Sequence, residues 1–405
     1  MIDINELSAY ALALSRVNGI GPKSTVRITE IFQTSDALAA ASTEDLTHGL
    51  GDKLGRLLMA ALNSNWRDKL ADARADIARH RDAGIVVLAI NDVAYPPLLK
   101  QIADPPAVLY LRGSLSALSS RAVAVVGTRT PTSNGMLIAE RLSGVLAQAG
   151  YTVVSGLAKG IDTQAHRGCL LANGATVAVL ANPLDSRSIY PAENRPLAEE
   201  ILDRSGALVS ETPLGQMPQR SSFVQRDRIQ SGLSLAVFAI QTDVEGGTMH
   251  TVRYAERDGR LLFCPRPLDG DTPETPWAGI HMLLRTNRAQ PFDKTTYDEV
   301  LSRLQTHETV LTSGREKPVE DAKATQTQTT FPDSLFEEAS ETVVEQRFDD
   351  ASWLAKVEQV SSEMEISREK YNELVAVLRK RLFKGKAVKK RRDTVSAGIS
   401  VERLS

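Results

Sequence analysis

The sequence predicts an α/β protein with a parallel sheet covered by helices on both faces. Between residues 122 and 270, six short apolar runs recur, most of them separated by amphipathic stretches; this is the pattern of buried parallel strands joined by helical crossovers. The runs are Ala122–Val126, Thr152–Ser155, Thr176–Leu180, Ala207–Ser210, Leu235–Ile240 and Leu261–Phe263, with helices expected at Ser133–Ala149 and Thr248–Asp258. Before this body, residues 1–80 read as helical over Leu7–Val17, Lys23–Phe32, Asp36–Ala41 and Asp52–His80. Ile85–Ile90 is a further buried-strand candidate. Tyr95-Pro96-Pro97 and Asp104-Pro105-Pro106 follow it, and proline there opposes regular pairing. A last helical piece, about Tyr297–Gln305, closes the body.

Four regions result. Residues 1–82 form a helical region, 85–306 the α/β body, and 313–350 an acidic linker expected to be disordered. Residues 351–405 are expected to be helical with a basic end. The hydrophobic fraction of 42% and charged fraction of 24% are ordinary for a soluble globular chain. The formal net charge of -2 argues neither for nor against nucleic acid, so the distribution of charge matters more. Acids gather at 316–350, whereas Arg379–Arg392 holds nine bases and no acid. Two cysteines, Cys169 and Cys264, lack CxxC spacing; no disulfide framework or cysteine zinc site is expected, and a reducing cytoplasm suits them. The first residues lack the basic start and apolar run of a signal peptide, and no apolar stretch approaches the ~18 residues of a membrane span. The expectation is a cytoplasmic protein with no membrane contact, no metal and no cofactor.

In a parallel α/β sheet, ligands bind beyond the carboxyl ends of the strands, at helix N-termini. After the first strand stand Gly127, Thr128 and Arg129; glycine permits close backbone approach, Arg129 offers a planar fork for phosphate, and Ser133 is expected to cap the next helix. The dinucleotide fingerprint G-x-G-x-x-G is absent. After the second strand, Ser155, Gly156, Lys159 and Gly160 form a loop whose amides and lysine can meet an anion, although P-loop spacing fails. Asp162 and His166 lie four apart. They are read as a helix cap and an internally bonded histidine rather than an acid–base or metal pair. Further on, Phe223 lies three and five residues from Arg226 and Arg228, a combination suited to stacked bases and neutralised phosphates. A core phenylalanine beside surface arginines is the competing interpretation.

Together these segments resemble the DNA-processing protein A (DprA/Smf) family over about residues 95–266. The stretch Tyr95–Gly113 is similar to the family's lead-in to a Rossmann-like domain. Gly127-Thr128-Arg129 stands where the family usually has Gly-Ser-Arg. Ser155–Asp162 with Ala165-His166 matches Ser-Gly-Leu-Ala-x-Gly-Ile-Asp-x-x-Ala-His, and Leu184-Asp185, Tyr190-Pro191, Asn194, Ser210-Glu211-Thr212-Pro213 and Gly232-Leu233-Ser234 continue the pattern. Three departures stand out: Asn182-Pro183 replaces a glycine, Asp227 replaces the asparagine of Arg-Asn-Arg, and Glu245-Gly246-Gly247-Thr248 replaces a Ser-Gly-type turn.

The resemblance implies a Rossmann-like body that binds single-stranded DNA without catalytic turnover, dimerises through that body and loads the RecA recombinase onto incoming or processed DNA during natural transformation and recombination. It also implies a helical N-terminal domain, where Gly19, Gly21 and Lys23 resemble a helix-hairpin-helix turn and are secondary candidates for DNA contact. Lys389, Lys390, Arg391 and Arg392 of the basic tail are secondary candidates by charge. Two other functions compete. One is a phosphoribohydrolase-like enzyme on a related Rossmann-like fold, which Glu245–Thr248 superficially resembles; the other is a pure adaptor.

Overall fold

Local signals in the first 82 residues set six helices: α1 (Ile4–Ser15), α2 (Pro22–Ile31), α3 (Ser35–Ala40), α4 (Thr43–Leu50), α5 (Asp52–Ser64) and α6 (Trp66–Asp82). Pro22 opens α2, where its missing N–H costs nothing, and Thr34 caps α3 by accepting from the Ala37 amide at 3.1 Å. Ser42 and Asp45 form a reciprocal capping box on α4, a helix that periodicity alone did not reveal. The stretch expected as one helix over Asp52–His80 breaks at Asn65 into α5 and α6. The computed structural model describes residues 4–313, apart from 119–120, 269–270, 272–273 and 275. The acidic linker from residue 314 on and the basic C-terminal region, with Lys389, Lys390, Arg391 and Arg392, lie outside the described residues. No helix among those described is long and apolar enough to cross a membrane.

Nine strands follow: β1 (Ile85–Ala89), β2 (Val108–Gly113), β3 (Ala122–Val126), β4 (Thr152–Ser155), β5 (Thr176–Leu180), β6 (Ala207–Ser210), β7 (Ala236–Ala239), β8 (Leu261–Pro265) and β9 (Gln290–Phe292). Their order in one sheet is β1-β2-β6-β5-β4-β3-β7-β8-β9. The strands from β3 to β9 are mutually parallel, as expected, with registers such as Ala122↔Thr152 and Ala124↔Val237. The sheet is nevertheless mixed, because β2 pairs antiparallel with both β1 and β6. Prolines 105 and 106 stop just short of β2 and leave its ladder intact.

Interspersed helices cover the sheet: α7 (Pro97–Lys100), α8 (Ser133–Gln148), α9 (Ile161–Leu171), α10 (Arg195–Asp203), α11 (Arg220–Gln225), α12 (Asp227–Gly232), α13 (Thr248–Arg257), α14 (Ala278–Arg285) and α15 (Tyr297–Ser313). Central strands such as β3 and β7 are buried at every position, so both faces need a helical layer. Val123, Val125, Phe238 and Ile161 cluster on one face; Val126, Val237, Ile229 and Val252 cluster on the other. The N-terminal helices share a third apolar cluster with β1, β2 and α10, in which Tyr10 and Trp66 meet edge to face at 6.1 Å.

The chain order reverses at β3. From there β4, β5 and β6 are laid down on one side, and then β7, β8 and β9 on the other. The crossovers leaving β3 and β7 therefore diverge, and a crevice opens at the strands' carboxyl ends.

Candidate functional site

Three loops build the walls of this crevice, and short-range packing fixes each one. Gly127 follows β3; a Cβ there would lie 2.5 Å from Ile161, so only glycine lets α9 begin so close. Gly160 has φ +82° and a Cβ would lie 2.5 Å from the Thr128 carbonyl, which accepts from the Ile161 amide at 3.2 Å. The β3 loop is also tied to the end of β7. Thr128 N–H donates to the Gln241 carbonyl at 2.8 Å, and the Gln241 side chain accepts from the Thr132 amide at 3.0 Å. Thr132, rather than the expected Ser133, caps α8 by accepting from the Gly135 amide at 3.1 Å.

The β4 loop is held from below. Leu157 sits at φ 60°, an unfavourable region for a side chain of that size, and the surroundings enforce it. Asp162 accepts from the Gly156 and Ala158 amides at 3.2 and 3.3 Å, while Asn194 donates to the Leu157 carbonyl at 2.8 Å. The expectation that Asp162 caps α9 is thereby corrected: its carboxylate turns back to fix the preceding loop. Burial pushes its pKa up, opposed by the nearby Arg226 charge. His166 is buried and shares a 2.7 Å hydrogen bond with Thr176, the internal role expected of it; burial lowers its pKa to about 3. Ser155 is also buried, donating to the Val125 carbonyl at 2.7 Å, and it braces β4 against β3 rather than lining the crevice.

Two compartments lie side by side. A small pocket of about 60 Å³ is lined by Arg129, Gly156, Lys159, Asn182, Tyr190, Phe223 and Arg226, among others. A cleft of about 440 Å³ continues past Gly127, Thr128 and Arg129 to Asp227, Gln230 and the Thr242–Thr248 turn that opens α13. Arg129, Ala158, Phe223 and Arg226 line both. Arg129 is exposed and forms no salt bridge among the described residues. Arg226 lies over Gly156 so closely that a Cβ there would be 1.6 Å from its Nη1. Its Nε meets Asp227 at 3.2 Å, and its buried Nη1 has no hydrogen-bond partner. Burial raises the Asp227 pKa to about 6, with Arg226 opposing and Asp162 adding to the shift. At the rim, Tyr190 is 57% exposed and packs edge to face on Phe223 at 6.2 Å; beside them Lys159 contacts Glu193 at 2.6 Å.

The crevice thus brings together Gly127, Thr128, Arg129, Gly156, Lys159, Phe223 and Arg226, with Gly160 shaping its loop. Arg228 is not among them. Its guanidinium is buried and saturated, donating to the Asp104 carbonyl at 2.9 Å, the Gln225 carbonyl at 3.0 Å and the Glu211 carboxylate at 2.8 and 2.9 Å. Gly19, with φ +87°, and Gly21 occupy the α1–α2 turn, Lys23 stands in the first turn of α2, and none lines the crevice. Sequence reasoning misses Tyr190 and Gln230 as crevice residues, although Tyr190-Pro191 is part of the family pattern. The Glu245–Thr248 turn, a departure from the family pattern and the feature that resembles a phosphoribohydrolase turn, supplies Gly246, Gly247 and Thr248 to the cleft.

The profile of the family described as DNA recombination-mediator protein A matches residues 86–305. Among curated proteins, Protein Smf of Synechocystis is 36% identical over 265 residues, 64% of this chain and 64% of that protein. DNA processing protein DprA of Bacillus subtilis is 38% identical over 188 residues, 46% of this chain and 62% of the relative. The match thus spans less than two thirds of the length of either relative. Among solved structures, DNA processing protein A of Streptococcus pneumoniae superposes with a TM-score of 0.56 at 25% identity, covering 72% of this chain and 95% of that one.

Proposed function

The chain belongs to the DNA recombination-mediator protein A family, and from that premise we propose that it binds single-stranded DNA in the crevice at the carboxyl ends of β3, β4 and β7. The observation that carries this reading is Arg129, an exposed guanidinium standing where an aromatic-rimmed pocket meets a longer cleft. Phosphate binding needs an uncompensated cation, and unpaired bases need flat apolar faces on which to stack. Arg129 supplies the first and the Tyr190–Phe223 pair the second. A duplex keeps its bases stacked inside and offers the pocket only backbone, so single strands are the better ligand.

In the fuller reading the protein shields incoming or processed strands as a homodimer joined through its α/β body and passes them to the RecA recombinase. The family's description as a recombination mediator supports the handover. The reading assigns binding without turnover; incubation with nucleoside monophosphates should release no free base. The site lies wholly within the α/β body, and the basic tail is separated from it by a run of acids. Deleting residues 313–405 should therefore leave most of the strand affinity and reduce its salt dependence slightly. Full-length and truncated proteins titrated with a labelled strand at two salt concentrations test this. A truncated protein that stays folded and loses all binding would transfer the site to the tail.

A further inference from the structure

The larger cleft differs in chemistry from the pocket beside it. Gln230 lines the cleft while being only 2% exposed, and its Nε2 donates to Asp227 at 3.0 Å. Its Oε1 is buried and accepts from nothing. A buried amide oxygen without a donor costs on the order of 1–3 kcal/mol, and this one stands beside a carboxylate in a space large enough for a nucleotide. In the same lining, α13 begins at Thr248 after Gly246 and Gly247; the Met249 and His250 amides bond to the Gly246 and Gly247 carbonyls at 2.9 and 3.0 Å, whereas the Gly247 and Thr248 amides have no partner within the ten-residue helix. A Cβ on Gly247 would meet nothing within 4 Å, so the backbone there is open to an occupant.

We propose that this cleft seats one nucleotide whose base carries an exocyclic amine, with Gln230 Oε1 and Asp227 accepting from the base edge and the Gly247 and Thr248 amides facing its phosphate. The inference rests on the strand-binding reading above and adds a base preference to it. Cytosine, adenine and guanine each bring an amine to the two neighbouring acceptors. Thymine has a single N3–H between two carbonyl oxygens, which those acceptors repel. The occupant is either a unit of the bound strand or a free nucleoside monophosphate of the same chemistry.

The test compares labelled oligo-dC, oligo-dA and oligo-dT of equal length on the full chain. The wild type should bind oligo-dC and oligo-dA about tenfold more tightly than oligo-dT, the scale of one well-placed base contact. In Gln230→Leu that ratio should collapse toward one. Because Gln230 is buried, Gly247→Phe provides a second variant: the open space and the ordinary φ of -55° accept the ring, which fills the cleft, and the ratio should collapse again. Equal affinity for the three strands in the wild type, or a ratio kept in folded Gly247→Phe, would overturn the inference. If all three strands bind equally and depend on Arg129, the strand-binding reading survives and only this inference fails. If none binds, that reading fails. Melting curves with dCMP, dAMP and dTMP identify the occupant. Stabilisation by the first two alone, lost in Gly247→Phe, assigns a free nucleotide. A strand preference without such stabilisation assigns a unit of the strand.

Discussion

Arg226, between α11 and α12, and Arg228, in the first turn of α12, enter two regions built on opposite terms. Beneath α12, Arg228 meets Glu211, Asp104 and Gln225 with every nitrogen engaged and its side chain 6% exposed. In the crevice, Arg226 has one carboxylate at 3.2 Å, an orphaned Nη1 and an exposed neighbour in Arg129. A saturated guanidinium joins elements and has nothing left for a ligand. An unsaturated one holds electrostatic potential in reserve, which a phosphate can use. The difference separates a residue of the fold from a residue of the site, although both stand in one Arg-Asp-Arg tripeptide.

The largest expected effect falls on the saturated region. Arg228→Ala leaves Glu211 and Asp104 without their buried counter-ion, and losing one partner of such a pair costs about 3–5 kcal/mol of stability. Thermal melting should show the drop, while strand affinity of the folded fraction should match the parent. A stable variant with weakened binding would erase the distinction between the two arginines.

Arg226→Ala should differ by its effect on binding. It takes the counter-ion from buried Asp227 and Asp162 and should lower stability too, but loss of its charge-assisted contact should also weaken strand binding by roughly 1.5–3 kcal/mol, or about one to two decades of affinity. Gly156→Val should approach the same binding defect without touching the arginine, because its Cβ takes the place of Nη1. Anisotropy titrations of both variants, each checked by melting, decide whether the seat of Arg226 matters as much as its charge.

Asp227 gives a smaller effect, with a sign in pH. Burial holds its pKa near 6, above the ordinary carboxylate value of 3.8, so between those values the folded protein binds the extra proton. Its contribution to stability is present below pH 4 and is lost as pH rises through 6. Above 6 the carboxylate also opposes phosphate and engages Arg226. Affinity for oligo-dT, which brings no amine to Asp227, should therefore rise several-fold as pH falls from 7.5 to 5.5. Asp227→Asn should bind at pH 7.5 as the parent does at the lower pH. His250 also lines the cleft, so the diagnostic is the part of the pH step that the asparagine removes. If the step is unchanged, Asp227 is not its source.

Glu193→Gln should have the smallest effect. It frees Lys159 from an exposed ion pair that solvent and salt largely screen. Affinity should rise a few-fold at low salt and converge with the parent at high salt. A fall in affinity would mean that Glu193 positions Lys159 instead of competing for it.

Much of this arrangement was legible in the sequence. Seven strands, β1 among them, coincide with apolar runs, and most of the crevice residues after β3 and β4 stand at the ends of those runs, where local pattern and parallel-sheet topology determine position. What was illegible depended on distant partners or on phase. β2 finds β6 nearly a hundred residues away, and β9 spans only three residues, one of them Pro291. Arg226 and Arg228 could not be told apart because each helical residue advances about 100°, and two six-residue helices give no apolar stripe long enough to set the phase. Gln230 looked like an ordinary polar residue in a helix; only the fold shows its carbonyl buried without a donor.

The most direct test of the central claim is a salt series on Arg129. Parent and Arg129→Ala should be titrated with single- and double-stranded oligonucleotides of equal length. The parent should prefer the single strand, with log affinity falling linearly against log salt. The variant should melt normally, bind the single strand about one to two decades more weakly, and lose about one unit of salt slope. Equal affinity for the two forms, or a normally folded variant that binds like the parent, would contradict the placement of the strand in this crevice.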